Sequence, residues 1–266
     1  MKNDGNNTET ITHLSLCSGY EGIGLGLRRV LPNLREIAYV EREGFPVANL
    51  VAKMEAGDLD AAPVFTDVKT FPYRKFRGLV DILSGGFPCQ PFSNAGKREG
   101  VEDPRHLFPY IRDGIRECIP RLVFLENVEG IIASKTADGE SVLQYVLREL
   151  EGLGYRATAG VFSAAEVGAP HQRKRVFILG VANTEIQRIQ RLRPRREQKP
   201  DTHGQQKLSM CEGERPKQAS WLSEPRLDRV VDGYPSRVDR LRLLGNGVVP
   251  ATAAKAFVTL LNRITF

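Results

Sequence analysis

The sequence predicts an α/β fold built on a doubly wound, mostly parallel sheet, and two observations carry that prediction. Short apolar runs suited to buried strands recur through residue 180 and alternate with stretches of helical periodicity. Turns rich in glycine or proline follow several of the strand ends, where open α/β sheets place their ligands.

Taken in order, residues 13–17 (His-Leu-Ser-Leu-Cys) read as the first strand, and the turn Ser18-Gly19-Tyr20-Glu21-Gly22-Ile23-Gly24 leads into a helix reaching residue 30. Residues 37–40 form a second strand ended by Glu41, a helix covers 45–56, and Thr66-Asp67-Val68 is a turn. Val80 to Leu83 is a strand, helical periodicity returns over 107–118, and the strand 122–125 leads into Glu126-Asn127-Val128. Over 141–153 an amphipathic helix aligns Val142, Tyr145, Val146 and Leu150 on one face. Residues 175–180 are a late strand, and 251–261 a final helix. Between Asn183 and Ser220 the pattern lapses into Arg, Gln, Lys, Glu and Pro, as in a linker or a small recognition module.

A chain of 266 residues accommodates one large domain with a small appendage. No apolar run approaches the roughly 20 residues of a membrane span, and the polar N-terminus does not resemble a secretory signal. No membrane association is expected. The four cysteines (Cys17, Cys89, Cys118, Cys211) are widely spaced, which argues against a zinc site or a disulfide framework and for a reducing cytoplasm. Charge is unevenly placed. Residues 183–245 carry 14 Lys/Arg against 9 Asp/Glu, so five of the six net positive charges lie there. That distribution fits a polyanion-binding appendage on a near-neutral body, or a solvated basic face.

Three places carry candidate chemistry. The glycines Gly19, Gly22 and Gly24 let backbone N–H groups approach a ligand at a helix N-terminus, although the spacing does not match a dinucleotide fingerprint. Glu41 stands where a ribose hydroxyl pair is held, and Asp67 is placed for an exocyclic amine, so the ordered set describes an adenosine site. Cys89, in Gly85-Gly86-Phe87-Pro88-Cys89-Gln90-Pro91-Phe92-Ser93, sits just past a strand end between prolines, as a nucleophile or a buried structural thiol. Glu126 opens on the same sheet edge, where an apolar cleft raises a carboxyl pKa, while Asn127 reads equally as a helix cap. Alternation aims Arg173 and Arg175 to one face, as a clamp for a carbonyl or carboxylate or as a solvated turn.

The ordered set resembles the DNA cytosine-5 methyltransferase family of bacteria and phages. The resemblance rests on Ser18-Gly19 with Gly22, Phe87-Pro88-Cys89-Gln90 with Pro91-Phe92-Ser93, Glu126-Asn127-Val128, Gln172-Arg173-Lys174-Arg175, and Leu244-Gly245-Asn246-Gly247-Val248-Val249-Pro250. It covers residues 12–182 and 235–265. It implies a Rossmann-like class I methyltransferase fold with S-adenosylmethionine as cofactor and duplex DNA as partner. Residues 1–182 with 240–266 would be the catalytic domain, and 183–239 a variable target recognition region. By residue, it implies that Cys89 adds to carbon 6 of a flipped-out cytosine, Glu126 engages ring nitrogen 3, and Arg175 holds the exocyclic oxygen with support from Arg173. It also implies cofactor contacts from Ser18, Gly19, Gly22, Ile23, Glu41, Asp67, Pro88, Leu107, Asn246 and Val248, with no metal. DNA would be met by Gln90, Ser93, Lys97 and Arg98 in the loop after the nucleophile, and by Arg188, Arg191 and Arg193 in the basic segment. A monomeric cytoplasmic enzyme of a restriction–modification or phage setting, with a cognate endonuclease as a further partner, fits that picture. Methylation of a tRNA cytosine and a silent DNA-binding relative are the alternatives. Two residues depart from the family pattern: Cys17 where an aromatic is usual, and Glu21 where glycine is usual. A carboxylate at 21 must point away from the methionine carboxylate or cost affinity.

Overall fold

In the computed structural model the described residues are 9–88, 107–136, 138–186 and 243–265. Seven strands form one sheet: β1 (Ile11–Leu16), β2 (Leu34–Val40), β3 (Val64–Phe65), β4 (Ile82–Gly86), β5 (Leu122–Val128), β6 (Tyr155–Ser163) and β7 (Lys174–Ala182). Their order is β3-β2-β1-β4-β5-β7-β6, with β7 antiparallel to both of its neighbours and the other pairs parallel. The helices are α1 (Gly22–Arg28), α2 (Gly44–Glu55), α3 (Phe108–Cys118), α4 (Val142–Gly152) and α5 (Pro250–Thr265). The predicted mostly parallel, doubly wound sheet is what the structure contains.

Both faces of the sheet are covered, so its central strands are apolar on both sides. In β5, Val123 and Leu125 face a core completed by Ile111 and Ile115 of α3 and Val146 and Leu150 of α4, while Phe124 faces the opposite core. That second core holds Ile23 and Leu27 of α1 and Phe257 and Leu260 of α5. Phe124 stacks on Phe177 and meets Phe257 edge-on, with both pairs of ring centres 5.4 Å apart. Each such fully buried side chain contributes roughly 1.5–3 kcal/mol relative to exposure. The stretch Leu243–Thr265 is long and apolar enough to span a membrane, which the sequence reading had not found, but α5 buries one face against this core.

Strand β6 was also absent from the sequence reading. It is an edge strand whose central residues, Ala-Thr-Ala-Gly, are small and half-buried, so neither alternation nor β-branched enrichment marks it. Glu126, Asn127 and Val128 are the last three residues of strand β5 itself rather than a loop after it.

Candidate active site

Parallel pairing brings the carboxyl ends of β1, β4 and β5 to one edge. Leu16 pairs with Gly85, and Gly86 with Glu126. A cavity of about 420 Å³ opens there, within the usual range for a small-molecule site. Ser18, Gly19, Gly22, Ile23, Glu41 and Asp67 line it, joined by Pro88, Leu107, Asn246 and Val248 from distant parts of the chain. Glu126 and Arg175 line it too. Tyr20, Phe45 and Pro46 are lining residues that the sequence reading did not assign.

Backbone hydrogen bonds shape the adenosine end. Gly19 takes the left-handed conformation (φ 56°), and its N–H donates to Glu41 Oε2 at 2.8 Å. Glu41 Oε1 accepts from the N–H of Glu43 at 2.9 Å. The Glu41 carboxylate therefore ties the turn after β1 to the end of β2, and each of its oxygens keeps a lone pair for a hydroxyl donor. Asp67 Oδ1 accepts from the Lys69 N–H at 2.9 Å and has similar spare capacity. A cradle of glycine backbone flanked by two such acceptors fits a nucleoside group.

At the other end Glu126 is only 6 % exposed. Arg175 Nε lies 2.9 Å from Glu126 Oε1, although that buried oxygen accepts no hydrogen bond of good geometry. Burial raises the Glu126 carboxyl to about 7, against the opposing pull of Arg175 and Arg173. Asn127 is no helix cap. Its Nδ2 donates to the Phe87 carbonyl at 3.0 Å and its Oδ1 accepts from the Val128 N–H at 2.8 Å. The residue thus fastens β5 to the chain immediately before Pro88.

Cys89 and the expected DNA-facing residues Gln90, Ser93, Lys97, Arg98, Arg188, Arg191 and Arg193 lie outside the described residues. So does most of the basic segment.

The family model described as C-5 cytosine-specific DNA methylase matches residues 11–230. The chain belongs to this family. Within the C-5 cytosine-specific DNA methylases, it is 33% identical over 172 residues to the type II methyltransferase M.NgoMIV of Neisseria gonorrhoeae, covering 65% of this chain and 52% of that protein. It is 37% identical over 165 residues to M.HpaII of Haemophilus parainfluenzae, covering 60% and 44%, and 32% identical over 170 residues to M.PspPI of a Psychrobacter strain, covering 63% and 39%. The chain thus spans about half or less of the length of these curated relatives. Among solved structures it resembles Spodoptera frugiperda DNMT2 (TM-score 0.54, 20% identity, 65% of this chain and 50% of that one) and S. pombe Dnmt2 (TM-score 0.53, 21% identity, 71% and 58%) in fold.

The two departures from the methylase pattern have physical accounts. Glu21 has φ 68°, a left-handed position that favours glycine. Its side chain turns into the protein, where Ser15 Oγ donates to Oε2 at 2.7 Å and the Gly24 N–H donates to Oε1 at 3.1 Å. The carboxyl caps α1 from beneath and points away from the cavity, as the cofactor reading requires. Burial raises it to about 7, partly countered by His13 and Ser15. His13, Glu21 and Glu36 form the described cluster compact enough for a metal, but Ser15, Gly24 and Arg28 already donate to its carboxylates. Burial, with Glu41 and Asp67 nearby, pushes the Cys17 thiol up to about 12. It therefore stays neutral and makes a poor nucleophile.

Arg173 and Arg175 both pull on Glu126, but their close contacts differ. Arg175 faces Glu126. Arg173 Nη2 donates to the carbonyls of Gly245, at 2.7 Å, and of Gly247.

Proposed function

We propose that this protein is a DNA (cytosine-5) methyltransferase that transfers a methyl group from S-adenosylmethionine to carbon 5 of a cytosine flipped out of duplex DNA. The observation that carries this reading is the pairing of buried Glu126 with half-buried Arg175, beside the Asn127–Phe87 link that Pro88 and Cys89 follow in sequence. An acid with a pKa near 7 and a guanidinium on one cavity, with a thiol next in sequence after Pro88 of its lining, suit an electron-poor ring that must be activated before it can be alkylated.

In this account Cys89 forms a bond from Sγ to carbon 6, and the ring electrons move toward carbon 5. Glu126 donates a proton or hydrogen bond to ring nitrogen 3, where negative charge would otherwise build. Arg175 holds the exocyclic oxygen and keeps Glu126 oriented. S-adenosylmethionine, when bound, supplies the electrophilic methyl group. The ring is then restored as the carbon 5 proton leaves to a base, for which a water suffices, and the Sγ–carbon 6 bond breaks. Ser18, Gly19, Gly22, Glu41 and Asp67 would hold the cofactor, with Leu107 and Pro88 as apolar walls.

Residues 183–239 would read the DNA, with arginines such as Arg191 and Arg193 available to phosphates and base edges. Residues 1–182 and 240–266 would supply the chemistry.

Trapping tests this directly. A duplex carrying 5-fluorocytosine at every cytosine, incubated with the full chain and S-adenosylmethionine, should yield a covalent complex stable to denaturation, because fluorine cannot leave as the proton does. Cys89→Ser should yield none. No adduct with the wild-type chain would overturn the covalent mechanism.

A further inference from the structure

We propose that Tyr20 and Arg173 are positioning residues that clasp the backbone of residues 245–248 onto the glycine turn after β1, and that this clasp sets cofactor affinity. The inference rests on the methyltransferase reading above.

Residues Asn246, Gly247 and Val248 line one side of the cavity, and Tyr20 and Gly22 line another. Nothing in the local sequence joins these segments; Tyr20 and Val248 are 228 positions apart. The segment 245–248 contains two glycines, and only Val248 packs a side chain into the core, so backbone carbonyls supply its remaining handles. Three of the four are taken. The Tyr20 hydroxyl donates to Val248 O, and Arg173 Nη2 donates to Gly245 O and Gly247 O. A guanidinium Nη carries two hydrogens, so both hydrogens of Nη2 are committed to this segment.

The clasp is braced and close-fitting. Lys53 Nζ donates to the Tyr20 carbonyl at 2.7 Å and stands 5.1 Å from the centre of its ring. Tyr20 is thereby held at its backbone and at its hydroxyl. A Cβ on Gly247 would collide with the Tyr20 ring, and one on Gly22 would collide with Val248 O. Arg173 is absent from the cavity lining, whereas Arg175 lines it. The two neighbouring arginines both pull on Glu126 but differ in contacts: Arg175 pairs closely with it at the base end, and Arg173 holds the chain at the cofactor end.

The test separates affinity from chemistry. Binding of S-adenosylhomocysteine to the full chain is measured by calorimetry, and the single-turnover methylation rate is measured at saturating cofactor. Tyr20→Phe, which keeps the ring and removes only the donor, should weaken binding about three- to tenfold. Arg173→Ala should weaken it more than tenfold and Arg173→Lys less than Arg173→Ala, and in each variant affinity should fall by a larger factor than the saturated rate. Should Arg173→Ala fail to fold, Tyr20→Phe carries the test alone. Unchanged affinity in Tyr20→Phe and Arg173→Lys would overturn the clasp while leaving the enzyme reading intact. Unchanged affinity with a collapsed saturated rate would place Arg173 on the base instead. A wild-type chain that does not bind the probe would overturn the reading and the clasp together.

Discussion

Arg175 Nε lies 2.9 Å from Glu126 Oε1, yet the Glu126 carboxyl is held at about 7. An arginine so close ordinarily lowers a carboxyl pKa, so burial outweighs it here. In the proposed reaction that places the pair to protonate ring nitrogen 3 near neutral pH. The single-turnover rate should fall as pH rises through about 7, because the protonated fraction of Glu126 declines. Arg175→Gln removes the strongest lowering influence and should move that limb to higher pH as well as slow the reaction. An alkaline limb at the same pH in both proteins would detach it from Glu126. Glu126→Gln should slow methylation by about 10²–10⁴ and remove the limb.

Glu21 links pH to stability. Its carboxyl rises from an ordinary 4.5 to about 7 on folding, so the folded protein binds more protons than the unfolded chain between those values. The resulting stabilisation is complete below pH 4.5 and is lost as pH rises to about 7. Relative to Glu21→Gln, the wild-type chain should lose thermal stability between pH 5 and pH 8. A constant difference in Tm across that range would show that Glu21 ionises as it does in the unfolded chain.

Gly19 and Gly22 serve for different reasons. A Cβ on Gly19 meets nothing within 4 Å, so Gly19→Ala should cost only the left-handed strain of about 1–2 kcal/mol. On Gly22 a Cβ collides with a backbone carbonyl that cannot swing aside. Gly22→Ala should cost about 1–3 kcal/mol and also loosen cofactor binding. Chemical denaturation with calorimetry would check both, and an equal loss of affinity in the two variants would contradict the distinction.

The strand ends that matter were legible because buried parallel strands are short apolar runs, and chemistry follows their carboxyl ends. Glu41, Asp67 and Glu126 could be placed that way, and all three line one cavity with Arg175, which alternation flagged and the antiparallel β7 brings in at its N-terminal end. The inward turn of Glu21 was not legible. It depends on a positive φ and on a donor from Ser15, which only the folded turn brings together. The Arg173 contacts were hidden for a related reason. Its partners are backbone carbonyls more than seventy positions away, and a carbonyl has no sequence signature. Tyr20 was passed over beside glycines that carried the motif, although its ring and hydroxyl hold the far wall of the cavity.

The central claim is methyl transfer to cytosine carbon 5 in DNA. The most direct measurement is incorporation from labelled S-adenosylmethionine into unmethylated genomic DNA, followed by bisulfite sequencing, with Cys89→Ser in parallel. The account predicts label in DNA, cytosines protected from bisulfite within one short recurrent sequence, and neither with Cys89→Ser. Label in tRNA but not in DNA, or no label from a chain that binds the cofactor, would contradict it.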